Sequence, residues 1–194
     1  TTEFEKRIST VGIVQPHLEV KIVDTQTGET LPIGEVGEVL TKGYAVMKGY
    51  WNDKVKTDEA VVDGWMHTGD LGSMDEQGYI SIVGRSKDMI IRGGENIYPI
   101  EVENFLYRHP KISDVQIVGV PDKHYGEVLA AWIIPKVGET ITEQEIRDFC
   151  YNHIAHFKIP TYIRFVEQYP MTVTGKIQKF KIVEAMKEEL GVVA

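Results

Sequence analysis

The stretch GRSKDMIIRGGENIYPIEVEN, residues 84–104, is where the chain changes character, and its reading decides the fold. Up to Arg85 the sequence runs in short β-like segments parted by glycine turns. Beyond it, helical patterning enters. Pro99 stands where the first turn of a helix tolerates a missing N–H. Glu101 and Glu103 suit the positive end of that helix. Val102, Phe105 and Leu106 make its apolar stripe, and Pro110 ends it. The same stretch holds Arg85, placed at a turn where a guanidinium grips a sugar or phosphate bidentately. It also holds Gly93 and Gly94, a pair that lets a backbone come close to a ligand. The plain alternative for all of these is a hairpin turn followed by a helix start.

Outward from this stretch the two sides differ. On the amino-terminal side LEVKIVD (18–24) and EVLTKG (38–43) read as strands separated by the turn-rich TQTGETLPIGEVGE. LGSMDEQGYISIVGR (71–85) reads as a hairpin turning at Asp75-Glu76-Gln77-Gly78. Residues 1–86 are therefore expected to form a small β-barrel or sandwich. On the carboxyl-terminal side DVQIVGV (114–120), EVLAAWIIP (127–135) and YIRFVEQYP (162–170) read as strands. Thr142 and Glu145 form a capping box for a helix with the stripe Ile146, Phe149, Cys150 and Ile154. Phe180, Val183, Met186 and Leu190 mark a last helix. This half is expected to be α+β, a short sheet flanked by helices.

Composition narrows the function. The chain of 194 residues is 42% hydrophobic and 26% charged, which fits a globular protein with a real core. A net charge of -8 argues against nucleic acid as a partner. One cysteine, Cys150, excludes an intrachain disulfide, fits a reducing, cytoplasmic setting, and sits on a helix stripe as a core residue rather than a nucleophile. No apolar run approaches the roughly 20 residues of a transmembrane helix. Lys158, Lys176, Lys179 and Lys181 gather in the last quarter, either as a solvated face or as a site for an anionic small ligand.

Two more motifs carry chemistry. In GWMHTGDLG (64–72) Asp70 lies between Gly69 and Leu71, read as a tight turn, where its two oxygens suit a ribose diol; alone it is also an ordinary turn residue. In YPMTVTGKIQKF (169–180) Lys176 follows a glycine. This is no Walker A loop, because position 170 is proline and Ile177 follows the lysine. A lysine in a flexible loop instead suits a phosphate or carboxylate whose charge grows in a transition state.

In this order and spacing TGDL, GRSKDMIIRGGENIYPIEVE and YPMTVTGKIQK resemble the adenylate-forming superfamily: acyl-CoA synthetases, luciferases and peptide-synthetase adenylation domains. GGENIYP, HFKIP and GKIQKFK look most like fatty or other acyl-CoA ligases. The resemblance implies activation of a carboxylic acid with ATP to an acyl-adenylate, followed by transfer to coenzyme A, with a small domain rotating between the two steps. It implies that Asp70 binds the ribose hydroxyls, Arg85 makes a second nucleotide contact, and Ile82 packs beside the nucleotide. Lys87 falls on the hinge. Gly93 and Gly94 would line the pantetheine path, Phe157 and Lys158 would meet the coenzyme's adenine and phosphates, and Lys176 would bridge carboxylate and α-phosphate.

The family's Ser/Thr/Gly-rich phosphate loop and its Tyr-Gly-x-Thr-Glu segment do not occur here. The chain is thus expected to be a C-terminal fragment: residues 1–86 the end of a large domain, 87–88 a hinge, 89–194 the mobile domain. It is expected to be inactive alone, to need the rest of the parent chain, and to leave any Mg2+ ligands to the upstream part, with no metal site of its own. The competing expectations are an adenylation domain that loads a carrier protein and a non-enzymatic nucleotide- or CoA-binding module.

Overall fold

A computed structural model describes residues 3–191. The chain divides into two compact units, Thr1–Lys87 and Asp88–Ala194, each with its own sheet. No helix among the described residues is long and apolar enough to cross a membrane.

The first unit runs α1 (Glu3–Ser9), β1 (Leu18–Val23), β2 (Gly37–Gly43), α2 (Lys54–Ala60), β3 (Val61–Val62), β4 (Trp65–Met74) and β5 (Ile80–Arg85). Its single antiparallel sheet is built around β4. On one side β4 pairs with β2, which in turn pairs with β1. On the other side the start of β4 pairs with β3 and its end with β5. Register shifts interrupt both long ladders, between Glu38 and Leu40 and between Leu71 and Gly72. Such bulges add local twist, and the sheet curls into a half-barrel. The barrel-like expectation holds, while a sandwich does not, because the described residues of this unit contain one sheet.

The expected hairpin turn is present. Gly78 N–H donates to Asp75 O at 2.9 Å, and the Asp75 carboxylate accepts from the N–H groups of Gln77 and Tyr79. Lys6 of α1 reaches the same carboxylate at 2.9 Å, and that ammonium, before the backbone donors, holds the Asp75 pKa below the usual carboxylate value. The core of this unit is small: Ile22, Val39 and Ile80 cluster with Val20, Leu31 and Met74 against them, and Val23, Leu40 and Leu71 are buried besides. Large apolar side chains remain outside it, among them Phe4, Ile8, Tyr44, Val55 and Trp51, the last 91% exposed.

A single 3-10 turn, Ser86–Asp88, follows β5. The second unit then runs β6 (Ile90–Arg92), β7 (Glu95–Ile97), α3 (Pro99–Leu106), β8 (Ile112–Asp122), β9 (Gly126–Pro135), α4 (Glu143–Cys150), a 3-10 turn (His156–Lys158), β10 (Tyr162–Phe165) and α5 (Lys179–Leu190). The centre is β9. It pairs antiparallel with β8 along its length, parallel with β10, and with β6 at Arg92↔Gly126. Period-two alternation splits the strands between two faces. Ile117, Leu129 and Ile133 join Val102 and Leu106 of α3 and Ile146 and Cys150 of α4 on one face. Val118, Val120 and Val128 join Ile182 and Met186 of α5 on the other. Cys150 is a core residue, and burial pushes its thiol up to about 11.

Thr142 caps α4 as expected, its Oγ1 accepting the Glu145 N–H at 3.2 Å. Three expectations change. The strand foreseen over 162–170 ends at Phe165. Of the two glutamates expected to serve the positive end of α3, only Glu101 lies in its first turn, and Glu103 is buried and paired, as described below. In α5 Val183, Met186 and Leu190 pack inward as expected and Ile182 joins them, while Phe180 is 56% exposed; the core-facing place one residue before it is taken by Lys179.

Candidate functional site

Asp70 does not sit in a tight turn. It lies within β4, at a bulge: Glu38 of β2 pairs with Leu71 while Leu40 pairs with His67, so residues 68–70 stand proud of the ladder. Gly69 supplies the positive φ of 70° that this requires. The bulge is tied down at every residue. Thr68 Oγ1 donates to Val39 O at 2.7 Å and accepts the Asp70 N–H at 3.1 Å. The Glu38 carboxylate accepts the Gly69 N–H at 3.0 Å and lies 2.9 Å from His67 Nδ1.

Across the strands Asp70 pairs with Arg85 and Gly72 with Ile82. Residues two apart share a face, so the acid–base pair and Ile82 lie on the same side of the sheet. Arg85 Nε is 3.0 Å from Asp70 Oδ1, and both side chains are partly exposed. The second carboxylate oxygen and the guanidinium's terminal nitrogens have no partner among the described residues. Next to them, a Cβ at Gly72 would meet Ser81 O at 2.6 Å, Val39 Cγ2 at 3.0 Å and Ile82 Cδ1 at 3.3 Å. The result is an acceptor and donor pair beside an apolar shelf, chemistry that suits a diol next to a flat ring.

In the second unit Gly93 and Gly94 form the tip of the β6–β7 hairpin, with φ of 59° and 91°. No atom lies within 4 Å of a Cβ built on Gly94. Arg92, just before the tip, donates from Nη1 to Phe157 O at 2.7 Å, which brings Gly93, Gly94, Phe157 and Lys158 into one neighbourhood. On the far side Arg147 of α4 donates to Pro160 O and Thr161 O, both at 2.8 Å. Two guanidinium groups thus hold the carbonyls of the 157–161 segment. Lys158 is not a free cation: its Nζ is 2.5 Å from Glu101.

Lys176 is exposed on a hairpin closed by its own hydrogen bonds. Met171 and Ile177 form a β-bridge. Thr172 N–H donates to Lys176 O at 2.8 Å, Gly175 N–H to Thr172 O at 2.9 Å, and Gln178 N–H to Pro170 O at 2.8 Å. Thr172 Oγ1 accepts the Lys176 N–H at 3.0 Å. Gly175 gives the positive φ of 80° at the turn. The Lys176 ammonium has no partner among the described residues. Of the basic cluster foreseen in the last quarter, Lys158 and Lys179 are each paired with a glutamate. Lys87 sits in the middle of the Ser86–Asp88 turn. Among the described residues no group of three or more His, Cys, Asp or Glu side chains is placed to hold a metal ion.

Two family models match the chain: the AMP-binding enzyme over residues 1–51 and the AMP-binding enzyme C-terminal domain over residues 101–176. The medium-chain acyl-CoA ligase ACSF2, mitochondrial, of Rattus norvegicus is 54% identical over 188 residues, 96% of this chain. The chain belongs to the adenylate-forming, AMP-binding enzyme superfamily. It spans 31% of that relative's length and corresponds to the C-terminal portion of the superfamily's enzymes. Two solved members share its fold. ATP-bound MatB from Rhodopseudomonas palustris is 36% identical, with a TM-score of 0.88 over 93% of this chain and 36% of its own. The amide bond synthetase McbA from Marinactinospora thermotolerans is 35% identical, with a TM-score of 0.84 over 92% of this chain and 36% of its own.

The superfamily motifs pointed to Asp70, Arg85, Gly93, Gly94 and Lys176, but not to the residues that hold them. Glu38 behind the bulge and Arg92 and Arg147 around the 157–161 segment carry no local signal, and Glu103, legible as a helix-end charge, carries none for its place beneath α5. Their partners are 31, 65, 14 and 76 residues away, and only the sheet pairing brings them together.

Proposed function

We propose that this chain forms the nucleotide-facing end and the moving C-terminal domain of an AMP-forming acyl-CoA ligase acting on a carboxylic acid, in the medium-chain range. The observation that carries the reading is the Asp70–Arg85 pair, 3.0 Å apart beside Ile82 on one face of a curled sheet. In this reading the free Asp70 oxygen accepts from the ribose hydroxyls of ATP. Arg85 adds a donor to the same sugar, and Ile82 packs against the base. Lys176 places its charge between the carboxylate and the α-phosphate. Two anions otherwise repel as they approach, and a dry cation there is worth several kcal/mol to the transition state.

The second half-reaction uses the other cluster. Gly93 and Gly94 leave room for the pantetheine arm of coenzyme A. Phe157 offers a ring for adenine, and Lys158 leaves Glu101 for a phosphate. Residues 87–88 act as the hinge between units 1–86 and 89–194, and the second unit turns between the steps. Mg2+ would be held by residues upstream of those present here. The lone, buried Cys150 supports a reducing compartment, either the cytoplasm or the mitochondrial setting named for the rat relative.

The similarity to an amide bond synthetase favours one alternative, in which the adenylate is passed to an acceptor other than free CoA, such as a carrier protein. One experiment separates these: the full-length protein bearing this segment, assayed for AMP release over a panel of carboxylic acids with and without CoA. Release that depends on both acid and CoA supports the ligase. Exchange of pyrophosphate without CoA-dependent turnover supports the alternative, and binding without either reaction leaves a non-enzymatic module.

A further inference from the structure

Helix α5 begins without the features that start most helices. Its N-cap, Gln178, makes no side-chain cap, and its first turn carries no acidic residue. Lys179 and Lys181 sit there instead, at the end where the helix dipole disfavours cations. Lys179 needs another reason for its place, and the reason is Glu103. The Lys179 ammonium is 2.7 Å from Glu103 Oε1 and 3.2 Å from Ile117 O. The same Glu103 oxygen accepts the Ile117 N–H at 2.8 Å.

Among the described strands β8 pairs only with β9, so these Ile117 groups lie on its free edge. The carboxylate takes the edge donor and the ammonium takes the edge acceptor, as a further strand would. The pair thereby fastens α3 and the start of α5 to that edge. Glu103 is 8% exposed. A pair so placed is held with much less solvent screening than a surface one.

The hairpin that carries Lys176 runs directly into Lys179. Its other leg leaves Tyr169, which is buried, with its hydroxyl donating to Trp132 O at 3.2 Å. The hairpin is closed on itself by the hydrogen bonds given above, so its position is set at those two roots and by Ile177, which packs against the core beside them. We propose that Glu103 and Lys179 are positioning residues for Lys176: their ion pair on the edge of β8 fixes the root of the hairpin and hence the place at which the Lys176 ammonium is presented. The proposal rests on the adenylating role of Lys176 given above.

The test uses E103Q/K179M, which removes both charges, so no lone charge is left buried, and keeps a side-chain acceptor for the Ile117 N–H. In the 194-residue chain, hydrogen exchange at the amides of Thr172, Gly175, Lys176 and Gln178 is expected to speed up, while exchange in β9 stays slow. In the full-length protein, adenylation is expected to fall on the order of 10- to 100-fold, with thioester formation from supplied acyl-adenylate unchanged and K179R restoring most of the loss. A merely structural pair would lower both half-reactions together, and that outcome overturns the proposal. So does unchanged exchange with unchanged adenylation. K176A separates the two readings: adenylation that survives in K176A refutes the role of Lys176 and the purpose of its anchor with it. Adenylation lost in K176A but intact in E103Q/K179M overturns the anchor alone.

Discussion

Gly72 is a glycine because of its neighbours, not its backbone. Its φ is not positive, yet a Cβ there would lie 2.6 Å from Ser81 O, a backbone atom that has no room to give. Gly72→Ala is expected to destabilise the first unit by about 1–3 kcal/mol, read as a lower urea midpoint. Asp70 beside it is different in kind, being partly exposed and engaged by Arg85 through one oxygen. Asp70→Ala is expected to leave the urea midpoint near wild type and to weaken ATP use by the full-length protein by about 1–3 kcal/mol; unchanged ATP kinetics removes Asp70 from the site. At His109 the consequence is a pH dependence. The ring is buried against Phe149, and its Nδ1 accepts the Lys111 N–H. Burial, aided by Lys111 and Lys136 and opposed by Glu145, lowers its pKa below the usual value. The unfolded chain therefore takes up a proton first as pH drops below about 6.5. The stability due to neutral His109 is complete above that pH and is lost as pH falls toward the folded-state pKa. His109→Gln keeps an acceptor and is expected to flatten the decline in thermal midpoint between pH 7 and pH 5. An unchanged slope would assign the decline to other groups.

Among the elements, those with strong local signals were the legible ones. Pro99 at the start of α3, Thr142 before α4 and the Asp75–Gly78 turn each follow from backbone chemistry within a few residues, and each is where the sequence puts it. In the stripe of α5, Val183, Met186 and Leu190 pack against the core as their spacing indicates, and Phe180 alone does not. Phe180 is the apolar residue at hand, but the inward position belongs to Lys179, whose partner lies 76 residues upstream. The TGD bulge resembles a turn in sequence for a similar reason: glycine and threonine announce irregular backbone, but only pairing with β2 shows that the strand continues through it. The β6–β7 hairpin joins both kinds of information. Its Gly-Gly tip is plain in the sequence, while the Arg92 tether to Phe157 O is not. Because a Cβ at Gly94 meets no atom within 4 Å, Gly94→Leu is expected to cost about 1 kcal/mol through its positive φ alone. Under the proposed CoA path it slows thioester formation and spares adenylation. Equal loss in both half-reactions would point to a disturbed hairpin instead.

At the scale of the whole molecule, the two units differ in how much they bury. The second has two well-filled faces, whereas the first keeps a small core and a surface dotted with large apolar side chains. The phosphate-binding loop of the superfamily is not among these 194 residues. The isolated chain is therefore expected to show no carboxylate-dependent pyrophosphate exchange, and robust exchange by the purified chain would refute the division of labour proposed above. The uneven burial has an optical consequence as well. The three tryptophans occupy distinct surroundings. Trp51 is 91% exposed, Trp65 lies under the ammonium groups of Lys21 and Lys42, and the Trp132 indole nitrogen is buried with no hydrogen-bond partner. Their emission should separate into a red, iodide-quenchable component from Trp51 and a blue, shielded one from Trp132. Any partner or further segment of protein that covers the face around Trp51 would shift the first component and leave the second in place. The chain thus carries its own fluorescent gauge of whether that face is covered.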